Sequence, residues 1–294
     1  PVDAVVNAAG ARNRYEVPLV MHEEGLDDVA CKILSIDAPD IDLSQWEILV
    51  DRVETATTPV RIGLIGKYVS LIQAEDVETM LSNGRLLELD GIVIPGGFGE
   101  RGVEGKILAA QFARENDLPC LGLCLGMQVM TIEYARNVLG MTGAHSSEFD
   151  PTTQFPVIDL METQRDVTDK GGTMRLGAYV ATLEPGSQVH GIYGEEVVSE
   201  RHRHRYEFNP RFRSRFDESD FVCSGTSPDG RLVEFIELRN HPFWIGTQAH
   251  PEFKSRPDRP GPLFRDFIGA ALARSEGRNP HLPDLDMSSA PTSA

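Results

Sequence analysis

Three times between Val60 and Gly126 the chain sets an apolar run of strand length directly before a glycine-rich turn: VRIGLIG, LDGIVIPGGFG and LPCLGLCLG. Such continuous runs suit strands covered on both faces, the situation of parallel strands in α/β proteins. Helical spacing follows the second and third turns. Ile107, Leu108, Ala110, Phe112 and Ala113 keep it in GKILAAQFAREN, and MQVMTIEYARNVLG keeps it with Gly140 placed as a C-cap. Strand, glycine turn and helix recurring in this order predict an α/β fold with a doubly wound, mostly parallel central sheet flanked by helices. The later segments MRLGAYVATL, VVSERHRHRYEF, DFVCSGTSPDGRLVEFIEL and HPFWIGTQAH read as further strands and predict additional antiparallel pairs.

Upstream of this pattern, residues 1–57 form a short α/β remnant that ends in DRVETATTPV, where threonines and Pro59 mark a linker. The chain opens on Pro1 rather than Met, so a longer parent is expected. Residues 58–274 are expected to be one domain and 275–294, rich in Pro, Ser and Asp, a loose tail. Four cysteines without metal-ligand spacing or a disulfide framework point to free thiols in a reducing cytoplasm. No apolar run reaches the roughly 20 residues that a bilayer crossing needs. A net charge of −17 disfavours nonspecific binding of nucleic acid, so an anionic ligand would need a local basic cluster.

Chemistry concentrates at Gly122-Leu123-Cys124-Leu125-Gly126, a G-x-C-x-G version of the nucleophile elbow with strand before it and helix after it. Cys124 would project at the sheet's C-terminal edge, where the next helix's N-terminal dipole favours a thiolate. A cysteine in an apolar stretch is ordinarily a core residue, and Cys120, mid-strand without flanking glycines, keeps that reading. A thiolate needs a base and an orienting group. His250 and Glu252, in TQAHPEF directly after the apolar strand Phe243–Thr247, supply them. By itself, H-P-E also suits a surface turn.

Gly97 to Gly102 match G-x-G-x-x-G, but a dinucleotide fingerprint also wants an acidic residue about 20 positions on. The next strand ends at Cys124 instead, which favours a backbone oxyanion hole from amides at Gly97 and Leu125. A glycine turn kept for tight packing remains the plainer alternative. In ERHRHRYEF a strand would place Arg201, Arg203 and Arg205 on one face and His202 and His204 on the other. Two histidines lack a third metal ligand, so no metal is assigned. The arginines suit either carboxylate binding or a solvated edge strand.

Taken together, PGGFG, GLCLGMQ, SSEFDP, GGTMRLG, SERHRHRYE and GTQAHPEFKSRP closely resemble the amidotransferase domain of the CTP synthase family, a class I (triad) glutamine amidotransferase, over about Val60–Ala273. NRYEVPLVMHEEGLDDVACKIL is similar to the last part of that family's amidoligase domain. The resemblance implies Cys124 as nucleophile, His250 as acid/base and Glu252 as orienting carboxylate. Contacts to L-glutamine would fall on Gly97, Leu125, Gly126, Met127, Gln128, Glu148 and Arg205. It further implies glutamine hydrolysis through a cysteinyl thioester without a cofactor. Ammonia would pass to an amidoligase domain of the same enzyme that uses ATP and Mg2+ to convert UTP to CTP in pyrimidine biosynthesis. GTP as allosteric activator and a homo-oligomer, a tetramer in the full-length protein, are implied as well. GLIGKY is too short for a phosphate-binding G-x-x-x-x-G-K-[ST] loop, so glutamine hydrolysis but not CTP synthesis is expected of this chain alone. ERGVEGK, Glu100–Lys106, corresponds to a lid near the family's GTP-responsive region. A free-standing γ-glutamyl hydrolase and a catalytically silent binding domain are the rival readings.

The pattern departs from the family at three places. Residues 69–90 are about half the usual length for a helix, a strand and their connections, 161–170 are also short, and His145 stands where Asn is usual.

Overall fold

The computed structural model describes residue 5 and residues 10–66, 72–160 and 174–278. The chain divides into two compact units, one of residues up to Thr58 together with Arg256–Pro260, the other of Pro59–Ser255 and the chain from Gly261. The first holds α1 (Val17–Glu23), α2 (Leu26–Leu34) and α3 (Ser44–Thr55), and Arg12 ties the start of α1 to α3 by donating to Glu16 at 2.9 Å and to Glu54 at 3.0 Å. Among the described apolar residues of these helices only Val50 is buried, while Ile33, Leu34, Ile36 and Ile41 stand exposed.

The second unit follows the predicted alternation. Its strands begin with β1 (Ile62–Gly66) and β2 (Ile72–Gln73), followed by a short helix α4 (Val77–Ser82). Then come β3 (Gly91–Ile94), α5 (Val103–Glu115), β4 (Cys120–Leu123) and α6 (Leu125–Asn137). Downstream lie β5 (His145–Ser146), β6 (Pro156–Leu160), β7 (Arg175–Leu183), α7 (Gln188–Tyr193), β8 (Val197–His204), β9 (Tyr206–Phe208) and α8 (Arg213–Asp217). The unit closes with β10 (Phe221–Thr226), β11 (Val233–Leu238), β12 (Trp244–Thr247) and α9 (Pro262–Ser275).

Nine strands form one sheet in the order β2-β1-β3-β4-β12-β11-β10-β7-β8. From β2 to β12 all pairs are parallel, and from β12 to β8 all are antiparallel. A second, three-stranded sheet has the order β5-β6-β9. Alternate residues feed two cores on opposite faces of the large sheet. Ile92, Ile94, Cys120 and Trp244 join α5 and α6, whereas Leu121, Leu123, Phe243 and Ile245 join α7 and α9. This is the predicted doubly wound α/β architecture with its antiparallel addition.

Several details differ from the sequence reading. α6 ends at Asn137, and Gly140, with φ 66°, lies in the turn beyond rather than at the cap. The basic run is not one strand: it breaks at Arg205, between β8 and β9, so only Arg201 and Arg203 share the exposed face. The Glu100–Lys106 segment is not all loop, since α5 takes over at Val103 and buries Lys106. Within the short 69–90 segment, β2 and β1 pair in parallel with Ile65 opposite Ile72, although only residues 67–71 intervene in sequence. A parallel crossover ordinarily takes a dozen residues or more. Residues 67–71 and 161–170, like the tail from 279, lie outside the described residues.

Candidate active site

β4 and β12 are neighbours with Leu123 opposite Thr247, so the segments that follow them emerge side by side at the C-terminal edge of the sheet. In α/β sheets ligands bind at that edge, where the chain changes direction. Cys124 follows β4 at φ 52° and ψ −104°, a left-handed backbone for a residue that has a Cβ. Such conformations cost about 1–3 kcal/mol and persist only when the surroundings impose them. Here the Cys124 amide donates to the Thr247 carbonyl at 2.7 Å, fastening the turn to β12. The flanking glycines are required by contact: a methyl at Gly126 would stand 2.0 Å from the Ile94 carbonyl oxygen, and one at Gly122 2.3 Å from Met130 Sδ.

The base enters from β12. A 3₁₀ turn at Pro251–Phe253 brings Glu252 back beneath the imidazole, and His250 Nδ1 lies 2.6 Å from Glu252 Oε1. Phe253 stacks on the other side of the ring at 5.3 Å, and the His250 amide donates to the Arg201 carbonyl at 2.7 Å. Nε2 is buried without a bond of full hydrogen-bond geometry, yet Cys124 acts on the ring. Burial works to lower the His250 pKa, but the attraction of Cys124 and the bond and charge of Glu252 outweigh it and push it up to about 10. Catalytic contacts commonly tighten only when substrate is bound.

Other expected residues converge here. The turn after β3 supplies Gly96 as well as Gly97. A methyl at Gly96 would stand 2.9 Å from His250 Cε1 and 3.5 Å from Cys124 Cβ, while one at Gly97 would touch Leu125 at 3.6 Å. Leu125, Gly126, Met127 and Gln128 form the buried first turn of α6. Glu148, in the turn after β5, is half-buried; burial raises its pKa and the charge of nearby Arg205 opposes that rise. Tyr206 feels the same two charges, placing Glu148, Arg205 and Tyr206 in one electrostatic neighbourhood.

Gln128 turns inward. Its Nε2 donates to the Tyr206 carbonyl at 2.9 Å and to Gln248 Oε1 at 3.1 Å. His202 and His204 are buried beside Arg175, Glu207 and Glu234 rather than open to a ligand. Burial, together with Arg175 and the other histidines, holds His202 neutral, with its pKa down to about 2. Sequence reasoning missed Gly96 and Gln248. The signal for Gln248 was a lone amide, between an apolar strand and the histidine, that had to be buried with a partner.

The family model for class-I glutamine amidotransferases matches residues 60–270, spanning both arms of this site. The chain belongs to the class-I glutamine amidotransferase family. Among members of that family, the CTP synthase of Bacillus pumilus is 50% identical over 94% of this chain and that of Carboxydothermus hydrogenoformans 52% over 92%. The chain spans only 56% and 55% of their lengths. A solved glutaminase domain of the Trypanosoma brucei CTP synthase, with acivicin bound, superposes with a TM-score of 0.68 at 34% identity, covering 72% of this chain and 94% of that one. The alignment to the Bacillus enzyme runs over 301 residues while using 94% of the 294 here, so this amidotransferase lacks residues its relative carries.

Proposed function

We propose that this chain is the glutamine-hydrolysing part of a CTP synthase, releasing ammonia from L-glutamine through a thioester on Cys124. The observation that carries the reading is a cysteine held at φ 52° beside an imidazole whose far nitrogen lies 2.6 Å from a carboxylate. Arg205 suits the substrate's α-carboxylate and Glu148 its ammonium, so the side-chain amide is directed to the elbow. Cys124 Sγ attacks the amide carbon, and the carbonyl electrons move onto oxygen, facing the backbone amides of Gly97 and Leu125. As the oxyanion collapses, the C–N bond breaks and His250 gives its proton to the departing nitrogen, forming ammonia. His250 then takes a proton from water, which attacks the thioester and releases glutamate and the thiolate. Glu252 holds the ring and its charge through both steps.

The first unit and the 58–274 domain fit the end of an amidoligase domain joined to its amidotransferase. Exposed Ile33, Leu34, Ile36 and Ile41 suit contact with the rest of such a domain. In the parent enzyme the ammonia would aminate UTP at the expense of ATP, with Mg2+, in the cytoplasm and in a homotetramer. The sequence printed has no G-x-x-x-x-G-K-[ST] loop for ATP. GTP activation belongs to the same whole-enzyme reading. At the lid segment Arg101 is paired with Glu75 at 2.6 Å, and Glu75, Glu78, Glu100, Glu104 and His145 are among the residues that line a 380 Å³ cavity.

Glutamate release from L-glutamine tests the reading, with Cys124→Ala expected to lower it at least about 10³-fold. A folded wild-type chain with no Cys124-dependent release would overturn it in favour of a silent domain.

A further inference from the structure

Beyond the triad, one backbone stretch of four residues, Thr247–His250, reaches the nucleophile three ways. Its first carbonyl holds the Cys124 amide, its last side chain is the base, and between them lies Gln248, which is wholly buried. Gln248 Nε2 stands 3.8 Å from Cys124 Sγ within donor geometry for sulfur. The amide's orientation follows from its neighbours. Only a nitrogen of Gln128 can donate to the Tyr206 carbonyl, at 2.9 Å, and the same nitrogen meets the Gln248 side chain at 3.1 Å. That end of Gln248 must therefore be its oxygen, and its NH2 faces the sulfur. The Gln248 main-chain amide donates to the Glu234 carbonyl at 2.9 Å, which keeps the residue from sliding along the strand end.

We propose that Gln248 is a positioning residue of the glutaminase site, donating a hydrogen bond that holds the Cys124 sulfur as a thiolate facing His250. His250 faces the sulfur and serves as the mobile proton carrier; Gln248 donates to it and keeps its protons throughout. The donor is thus in place both for the resting thiolate and for the sulfur as it leaves the thioester. Gln128 becomes the residue that aims Gln248. Because Gln128 is anchored on Tyr206, next to Arg205, the carboxylate-binding segment and the nucleophile share one chain of hydrogen bonds.

The kinetic part of the test rests on the glutaminase reading; the labelling part does not. Gln248→Glu and Gln248→Leu are compared with wild type for glutamate release and for iodoacetamide alkylation of Cys124 along the acid limb of its pH profile, located by peptide mapping. Loss of one hydrogen bond to a charged group should lower kcat roughly 10- to 100-fold, with KM within about twofold. On that acid limb alkylation should slow about threefold, because a tenfold lower ionised fraction is offset by roughly threefold higher intrinsic nucleophilicity. A residue that merely fills space gives the opposite sign: truncation opens the site and alkylation speeds up. Faster or unchanged alkylation in the folded variants, or kcat within twofold of wild type, would overturn the proposal. If the leucine variant does not fold, the isosteric glutamate variant decides, with Gln128→Leu, which frees the Gln248 amide to turn, expected to slow alkylation by less. A wild-type chain that releases no glutamate sinks the glutaminase reading, while the sign of the alkylation change still decides the role of Gln248.

Discussion

Where β4 and β12 meet, a methyl added at Gly126 would strike the Ile94 carbonyl at 2.0 Å; in the loop before β3, one added at Gly84 would find nothing within 4 Å. Between these extremes lies Gly63 of β1, whose close neighbours are the flexible ends of Leu89 and Ile72. The seam follows the strand-then-glycine pattern, whereas Gly84 follows helix α4. At the seam, glycine lets backbone approach backbone so that Cys124, Gly96 and His250 interlock. At the edge, Gly84 is needed only for its φ of 76°. The difference shows where the fold can lose length. β1 and β2 pair with only five intervening residues in sequence, and the edge β2 is two residues long, yet the register Leu123–Thr247 that aligns the triad joins β4 and β12, three and four strands from β2.

The sharpest way to break this comparison is Gly96→Ala. Its methyl would press on His250 Cε1 at 2.9 Å and displace the ring from the sulfur. Misplacement of a catalytic group by about 1 Å costs about 100-fold or more, so kcat/KM for glutamine should fall by that amount while thermal unfolding shifts little. A stable, fully active Gly96→Ala protein would show that the seam has slack.

Leu86→Ala tests the other region. Leu86 is fully buried in the short 3₁₀ turn before β3, and truncating it should cost about 2 kcal/mol of stability. Below the melting transition, glutamate release per folded molecule should remain within about twofold of wild type. Denaturant unfolding followed alongside activity would check both, and a parallel collapse of activity would mean that the edge shapes the site after all.

What the sequence disclosed divides along the same line. Buried parallel strands need unbroken apolar runs and the elbow needs its two glycines, so the seam was legible from VRIGLIG, LDGIVIPGGFG and LPCLGLCLG. The pairing of His250 with Glu252 was legible because Pro251 sits between them and a strand ends just before. Gly96 was hidden because its need is spatial: nothing in PGGFG tells which glycine backs His250. Gln248 was hidden because its partners lie 120 and 124 positions away in sequence. The break of the basic run at Arg205 was also missed, since alternation alone carries a strand through it. That break turns Arg205 away from the exposed face of β8 and toward Glu148.

The smallest effect concerns the proton on His250. Its folded pKa of about 10 lies above the ordinary histidine value, so the stabilisation from its charged form is complete below about 6.5 and is lost as pH rises through about 10. The same proton is the one ammonia needs when the C–N bond breaks. Glutamate release should therefore hold into the alkaline range and decline around pH 10. Glu252→Gln keeps the shape and a hydrogen-bond acceptor for Nδ1 but removes one of the charges that raises His250, while burial goes on lowering it. The alkaline limb of kcat/KM should then move to lower pH by about one unit, on top of a lower maximum. Leu86→Ala, remote from the ring, should leave the limb where it is. If both variants kept the wild-type limb, Glu252 would act by orientation alone, and the charge balance at the seam would rest on Cys124.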